Sequence, residues 1–419
     1  MRRIAVLRGT EWLSSAFETQ AASDTPDLLR DHLWVPGDAV VRKDAYPVRI
    51  PAGEGRGDAR FRGERGNQYV VVVEVEDERA AEAFERENAE VEALFADPQI
   101  EPFPSVCPGA VAVGTDADVV AKLNLGALHG AGCTGKGVKI IVVDAGIDGT
   151  RIHLANGWTP RPGVDPGAGV PLGHGTMVAF DARIAAPDAE IWDYPLLREA
   201  GTAWIAFISD AIRAFSEIMV MHLQLPGPKV VVDSWGMYDT SGDAPIGHPQ
   251  NYSRNPAHPF NQITGALAGS GVDVVFAAGN CGSGCPAKSC GAGDVGAARS
   301  IHGANSHPAV VSVAAATVQD DHLGYSSEGP GGLSAQTPDI TGFSHFRGLT
   351  PIDGGTSAAC PVVGGVLAAL RSSPRGRTLP AREMKRHLLD AARRVHGAGW
   401  SPQYGWGIVD ADAAFARLP

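Results

Sequence analysis

The chain has 419 residues, with 35 basic and 47 acidic side chains and a formal net charge of −12. That balance excludes a broad nucleic-acid surface, which needs clustered Lys and Arg. Apolar residues make up 44% and charged residues 20%, an ordinary globular composition, in a chain long enough for two or three domains and a large core.

The N-terminus reads MRRIAVLRGTEWLSSAFETQ, where the apolar run spans only Ile4 to Leu7. A secretory signal needs ~7–15 apolar residues and a small-residue cleavage site. No stretch reaches the ~20 apolar residues of a membrane span. The expectation is a cytoplasmic protein with no membrane segment, with secretion left open. Residues 50–66 are rich in Gly and Arg and read as a loop or linker. Residues 68–75 (QYVVVVEV) are β-branched and predict a strand. Residues 78–95, rich in Ala and Glu, predict one helix. The prolines of ADPQIEPFPSVCPG then break regular structure. The domain boundary is placed inside 103–125, giving an N-terminal accessory or propeptide-like region at 1–105, a linker at 106–125 and a catalytic domain at 126–419.

Beyond residue 125 short apolar runs alternate with longer amphipathic ones. Strands are predicted at 138–143, 190–194, 229–232, 272–276 and 310–313. Helices are predicted at 175–184, 203–222, 260–269, 356–369, 380–395 and 411–417. This alternation implies βαβ units, and the nearly all-apolar strands fit a mainly parallel sheet covered on both faces. In such sheets ligands bind beyond the carboxyl ends of the strands. Asp144, Ser234 and Asn280 all follow predicted strands.

Four features there carry chemistry. In DGGTSAACPVVGGVLAAL, Ser357 opens an apolar helix after a Gly-Gly-Thr turn. The free N–H groups of a helix start suit a nucleophile whose product is an oxyanion, although a Ser there also suits a simple cap. His174 stands between two glycines in GHGTMVA, and an imidazole is a suitable general base near neutral pH. Asp144 ends the strand of VKIIVVDAGID, where orienting an imidazole would satisfy its buried carboxylate. Asn280 leaves the strand of VVFAAGN, and its amide could donate to the oxyanion beside the Ser357 N–H. The bland alternatives are turn or capping residues, but their joint order Asp, His, Asn, Ser outweighs each.

These motifs resemble the subtilisin-like serine peptidases, or subtilases. The family patterns D-[ST]-G, H-G-T-h-V-A and G-T-S-h-A-x-P are similar to Asp144-Ala145-Gly146, His174-Gly175-Thr176-Met177-Val178-Ala179 and Gly355-Thr356-Ser357-Ala358-Ala359-Cys360-Pro361. Ser234-Trp235-Gly236 resembles the segment that pairs with substrate backbone. Ala277-Ala278-Gly279 resembles the wall of the primary specificity pocket, leading into the oxyanion Asn280. Residues 404–410 resemble the family's C-terminal segment, so the likeness runs from about 126 to 415.

The resemblance implies an α/β, three-layer subtilisin-like fold with a small N-terminal α/β region. It implies a serine endopeptidase with an Asp144, His174, Ser357 triad, no cofactor for catalysis, and a peptide or protein substrate bound as an extended strand. Two departures are Ala145, in place of a supporting hydroxyl worth about 1 kcal/mol, and Ala358, where many relatives carry Met. Ala145 keeps open an inactive binding module, and the missing signal keeps open a dedicated intracellular maturation peptidase. The N-terminal region is either an inhibitory propeptide or a retained domain.

Of six cysteines, Cys281, Cys285 and Cys290 cluster directly after Asn280. An odd cluster without a signal does not predict a disulfide framework. With His302 or His307 the three could hold a structural metal; the alternatives are one disulfide plus a free thiol, or simple loop thiols.

Overall fold

The computed structural model describes residues 1–9, 33, 35, 40–41, 48–50, 68–102, 109, 111–160, 164–200 and 203–419. The expected loop at 50–66, apart from residue 50, lies outside them. So do Cys107 and linker residues 106–108 and 110.

The N-terminal unit contains β1 (Arg2–Arg8), β2 (Val40–Val41), β3 (Val48–Ile50), β4 (Gln68–Glu74), α1 (Glu78–Glu87) and β5 (Val91–Ala96). Its antiparallel sheet runs β2-β4-β1-β5, with β3 also on β4. Side chains alternate along a strand, so each β-branched run feeds two cores. Ala5, Leu7, Tyr69, Val71 and Val73 cluster with Ala81 and Phe84 of α1. Ile4, Val6 and Val70 join the core of the second unit. The single helix expected over 78–95 is corrected. α1 is capped by Asp77, whose side chain accepts the Ala80 N–H at 2.8 Å, and ends where Asn88 bonds back to the Phe84 carbonyl. The rest becomes β5, because β1 offers it a pairing edge. Ile4 to Leu7, read only as too short for a signal, lies in the central strand β1.

After β6 (Gln99–Pro102) come α2 (Asp116–Lys122), within the expected linker, and α3 (Gly126–Gly130). Next are β7 (Lys139–Asp144), β8 (Asn156–Gly157), α4 (His174–Ala185), β9 (Glu190–Pro195), β10 (Arg198–Ala200), β11 (Ala203–Phe207) and α5 (Ile208–Gln224). β12 (Lys229–Asp233), β13 (Trp235–Gly236), α6 (Pro259–Gly269), β14 (Asp273–Ala277), β15 (Val311–Ala316) and β16 (Ile340–Phe343) follow. The chain closes with α7 (Thr356–Ser372), α8 (Ala381–Ala391) and α9 (Ala411–Ala416). The helix expected over 203–222 is also corrected: its aromatic start pairs as β11 with β10 and β6, and α5 begins at Ile208.

Seven parallel strands form the central sheet in the order β16-β15-β14-β12-β7-β9-β8. This is the expected α/β architecture. Ile140 and Val142 face α4 and α7, whereas Ile141 and Val143 face α5 and α6. The strand order reverses between β7 and β12, which makes their carboxyl ends the switch point of the sheet. Among the described residues no helix is long and apolar enough to cross a membrane.

A buried ion pair locks the far end of α7. The Arg371 guanidinium is bidentate on Asp273, with Nη2 2.8 Å from Oδ1, and its Nη1 donates to the carbonyls of Gly376 and Leu379. Removing one partner strands the other charge in the core. Asp273→Ala is expected to destabilise the fold by about 3–5 kcal/mol, read as a lowered denaturation midpoint, whereas Asp390→Ala on an exposed face should change it little.

Candidate active site

Asp144 is the last residue of β7 and is fully buried. Its Oδ1 accepts the Ala145 N–H at 2.7 Å and lies 2.7 Å from His174 Nδ1. His174 is the first residue of α4. The next position must be glycine, because a Cβ on Gly175 would lie 2.4 Å from the Gly146 carbonyl oxygen. That close approach presses the first turn of α4 onto the turn after Asp144. Thr176 tightens the same seam: its hydroxyl donates to the Val170 carbonyl at 2.8 Å and accepts the Asp148 N–H at 3.0 Å.

The contact fixes chemistry. An Nδ1–H donated to Asp144 leaves Nε2 as the unprotonated, basic nitrogen. Nε2 has no hydrogen-bond partner among the described residues. Asp144 Oδ2 has none either, at a position next to Ala145, which brings no hydroxyl.

Ser357 lies in the first turn of α7 and is fully buried. Pro361, one turn later, has no N–H to give the Ser357 carbonyl. Ser234 fills the gap: its hydroxyl donates to the Ser357 carbonyl at 3.1 Å, and the Ser357 hydroxyl donates to the Ser234 carbonyl at 3.1 Å. The structure thus joins Asp144 to His174, and Ser357 to Ser234. The Ser357 hydroxyl points at that carbonyl in this conformation.

Asn280 is also fully buried. Its Oδ1 accepts the Thr356 N–H at 2.9 Å and the Thr356 hydroxyl at 3.0 Å. The buried phenol of Tyr238 is hydrogen-bonded to the Asn280 side chain. Sequence reading missed both partners, although Thr356 stands inside the motif it used.

The Trp235 side chain is fully buried, so only its backbone is offered at β13. Its indole donates to the Val143 carbonyl at 2.8 Å and packs against Phe260 and Phe276. Trp235 and Gly236, as β13, pair antiparallel with Pro102 and Glu101 of β6. Ala277 ends β14, Ala278 donates to the Val313 carbonyl, and Gly279 donates to the Thr356 hydroxyl. Sequence reading also missed β6, whose signal was the alternation of polar Gln99 and Glu101 with apolar Ile100 and Pro102.

Two carboxyls lie behind Asp144. Burial pushes Asp193 up to about 6, even though it accepts N–H groups from Ile147 and Gly167. Burial, together with Asp144, holds Asp233 well above the usual carboxylate range.

The cysteine expectation is corrected. Cys281 and Cys290 form a disulfide, and Cys285 is disulfide-bonded too. An oxidised sulfur is no longer a thiolate ligand, so Cys281, Cys285 and Cys290 are unsuited to a metal. His302 is instead 3.2 Å from Asp294, and His307 is half-buried, with its pKa lowered to about 4 by desolvation and by nearby Lys385. The described residues contain no group of three or more metal-ligating side chains. The disulfide closes the loop beside Asn280, whose carbonyl accepts the Ala287 N–H at 2.8 Å.

Comparison with known proteins identifies the family. The model of the subtilase family matches residues 135–407. The membrane-bound transcription factor site-1 protease of Homo sapiens is 27% identical over 342 residues, covering 74% of this chain and 27% of that protein. The chain therefore spans only about a quarter of the site-1 protease length. M-protease of Shouchella clausii (strain KSM-K16) is 26% identical over 312 residues, 70% of this chain and 68% of that protein. Subtilisin Savinase of Lederbergia lenta is 25% identical over 312 residues, 70% of this chain and 97% of that protein. The chain belongs to the subtilase family.

Proposed function

We propose that the protein is a serine endopeptidase in which Asp144, His174 and Ser357 form the triad and Asn280 supplies an oxyanion donor. The 2.7 Å contact between His174 Nδ1 and Asp144 carries this reading, because it leaves Nε2 as the basic nitrogen. In the reaction the Ser357 hydroxyl turns from the Ser234 carbonyl to Nε2, loses its proton there and attacks the peptide carbonyl. The oxyanion is held by the Asn280 amide and by the Ser357 N–H. Nε2 then protonates the leaving amine, and water releases the acyl group by the same steps in reverse. Asp144 keeps the imidazole in place. No step requires a cofactor.

The substrate, in this reading, adds as a strand between β11 and β13. The support is that β6 of the N-terminal unit already runs there: Ile100 pairs with Ala206, and Pro102 pairs with Trp235. The N-terminal unit thus inhibits its own protease by holding the groove. It is anchored by buried contacts that favour a retained domain. Arg2 Nε donates to Asp97 at 2.9 Å, and Asp97 accepts both the N–H and the hydroxyl of Ser209 at the start of α5. The Arg2 guanidinium also lies 4.0 Å over the Phe207 ring.

The closed disulfide favours an oxidising compartment, so we further propose export in place of the cytoplasmic setting expected from the N-terminus. Alkylation of native protein without reductant should leave Cys281 and Cys290 unmodified by mass spectrometry; modification of both would count against export.

Ser357→Ala should abolish both peptide hydrolysis and labelling by a small fluorophosphonate, with the unfolding midpoint nearly kept. Persistent labelling of that variant would refute the nucleophile. Ile100→Asp puts a charge into a fully buried site, which is costly. It should release β6 and raise hydrolysis of short chromogenic peptides by at least about tenfold, and unchanged hydrolysis would reject the inhibitory role of β6.

A further inference from the structure

Asp181 lies on α4, two turns beyond His174, and is fully buried. No N–H or hydroxyl among the described residues donates to either of its carboxyl oxygens. Asp353 is also buried and stands just before the Gly354-Gly355-Thr356 turn into Ser357. Its carboxyl accepts the Leu349 N–H at 2.6 Å, the Thr350 N–H at 2.9 Å and the Thr350 hydroxyl at 2.6 Å. Its backbone pairs with Phe346, which closes the loop before the turn. The Asp353 carboxyl is the nearest charged neighbour of the Asp181 carboxyl and lies within hydrogen-bonding reach of it, although neither can donate while both are ionised.

Two carboxyls make that bond only when one carries a proton. The three donors on Asp353 favour its charged form. Asp181 has no such donors, so the proton resides on Asp181. Burial and the adjacent Asp353 hold the Asp181 carboxyl well above the usual carboxylate range.

We propose that Asp181 and Asp353 share one proton and act as positioning residues, tying the helix that begins with His174 to the turn that delivers Ser357. The functional half of this inference rests on the peptidase reading above. The geometry supplies the motive. His174 and Ser357 have separate anchors, Asp144 for one and Ser234 for the other, and the carboxyl bond joins the two supports from behind. The other charged group facing Asp181 is Asp116, at the start of α2. The one charged residue of α7, Arg371, is taken by Asp273. On the Asp353 loop, Arg347 is exposed, and the His345 ring meets the Val111 carbonyl through Nε2.

The pH dependence has a defined sign. A carboxyl whose folded-state pKa is raised binds its proton more tightly in the folded chain. Its contribution is complete below the unfolded value and is lost as pH rises through the folded value. Raising the pH therefore ionises Asp181, sets two carboxylates against each other and loosens the tie.

The test uses the full chain with diisopropyl fluorophosphate, a probe small enough to read Ser357 and His174 alone. In wild type the labelling rate should fall at alkaline pH. Asp181→Asn replaces the shared proton with a permanent N–H donor. It should label at close to the wild-type rate near neutrality and lose the alkaline fall. Asp181→Val keeps the approximate size but removes the donor, and should slow labelling on the order of 10–100-fold. Asp181→Asn with the wild-type alkaline fall, or Asp181→Val at the wild-type rate, would overturn the proposal. Unfolding midpoints against pH give a second readout, in a Ser357→Ala background. Asp181→Asn should flatten their decline with rising pH, and an unchanged slope overturns the shared proton even if Asp181→Val fails to fold. If wild type does not label at all, the peptidase reading fails, and the unfolding slope still decides the carboxyl pair.

Discussion

The closeness of α4 and α7 governs the rest of the molecule. A Cβ on Gly365 would lie 2.1 Å from the Ala182 carbonyl oxygen, so only glycine lets the two helices pack at this distance. Both helices begin with a residue of the site, and both start at the carboxyl edge of the sheet. Their packing therefore converts a property of the core, the absence of one side chain, into the separation of His174 and Ser357. The Arg371–Asp273 pair at the far end of α7 keeps the helix from sliding along this seam. Buried ion pairs add little net stability but penalise any arrangement that separates them.

Most of the second unit was legible in the sequence, because its parallel strands are continuous apolar runs such as KVVVD and its site residues sit where such strands end. The two misread helices share one cause. Residues 78–95 and 203–222 have helical composition throughout, but the edges of β1 and β6 recruit part of each as strand. A partner distant in sequence outweighed local preference, which is the usual limit of propensity. The cysteine cluster failed differently. Thiols and disulfides are identical in sequence, and only the approach of Cys281 to Cys290 distinguishes them. The partners of Asn280 were hidden for a third reason: side-chain orientation inside a motif is not encoded in its spacing.

The N-terminal unit shows how one sheet can serve two masters. Alternate residues of β1 and β4 cover α1 on one side and the helices behind the groove on the other. The same alternation lets Ile100 of β6 point into the core while its backbone pairs with β11. In the reading proposed above, such an inhibitor needs no special chemistry: it is a strand that fits the ladder between β11 and β13, held by the bond from Ser209, at the start of α5, to Asp97.

The exchange of hydroxyls between Ser234 and Ser357 has a mechanical consequence. Because Pro361 leaves a carbonyl without a helical donor, the residue that leads into β13 is riveted to the first turn of α7. In the peptidase reading proposed above, any force that a docked chain exerts on Ser234 to Gly236 passes to Ser357 through two hydrogen bonds, without an intervening loop to absorb it. In that reading a poorly seated peptide tilts the hydroxyl itself, and alignment joins the shape of a pocket in setting selectivity.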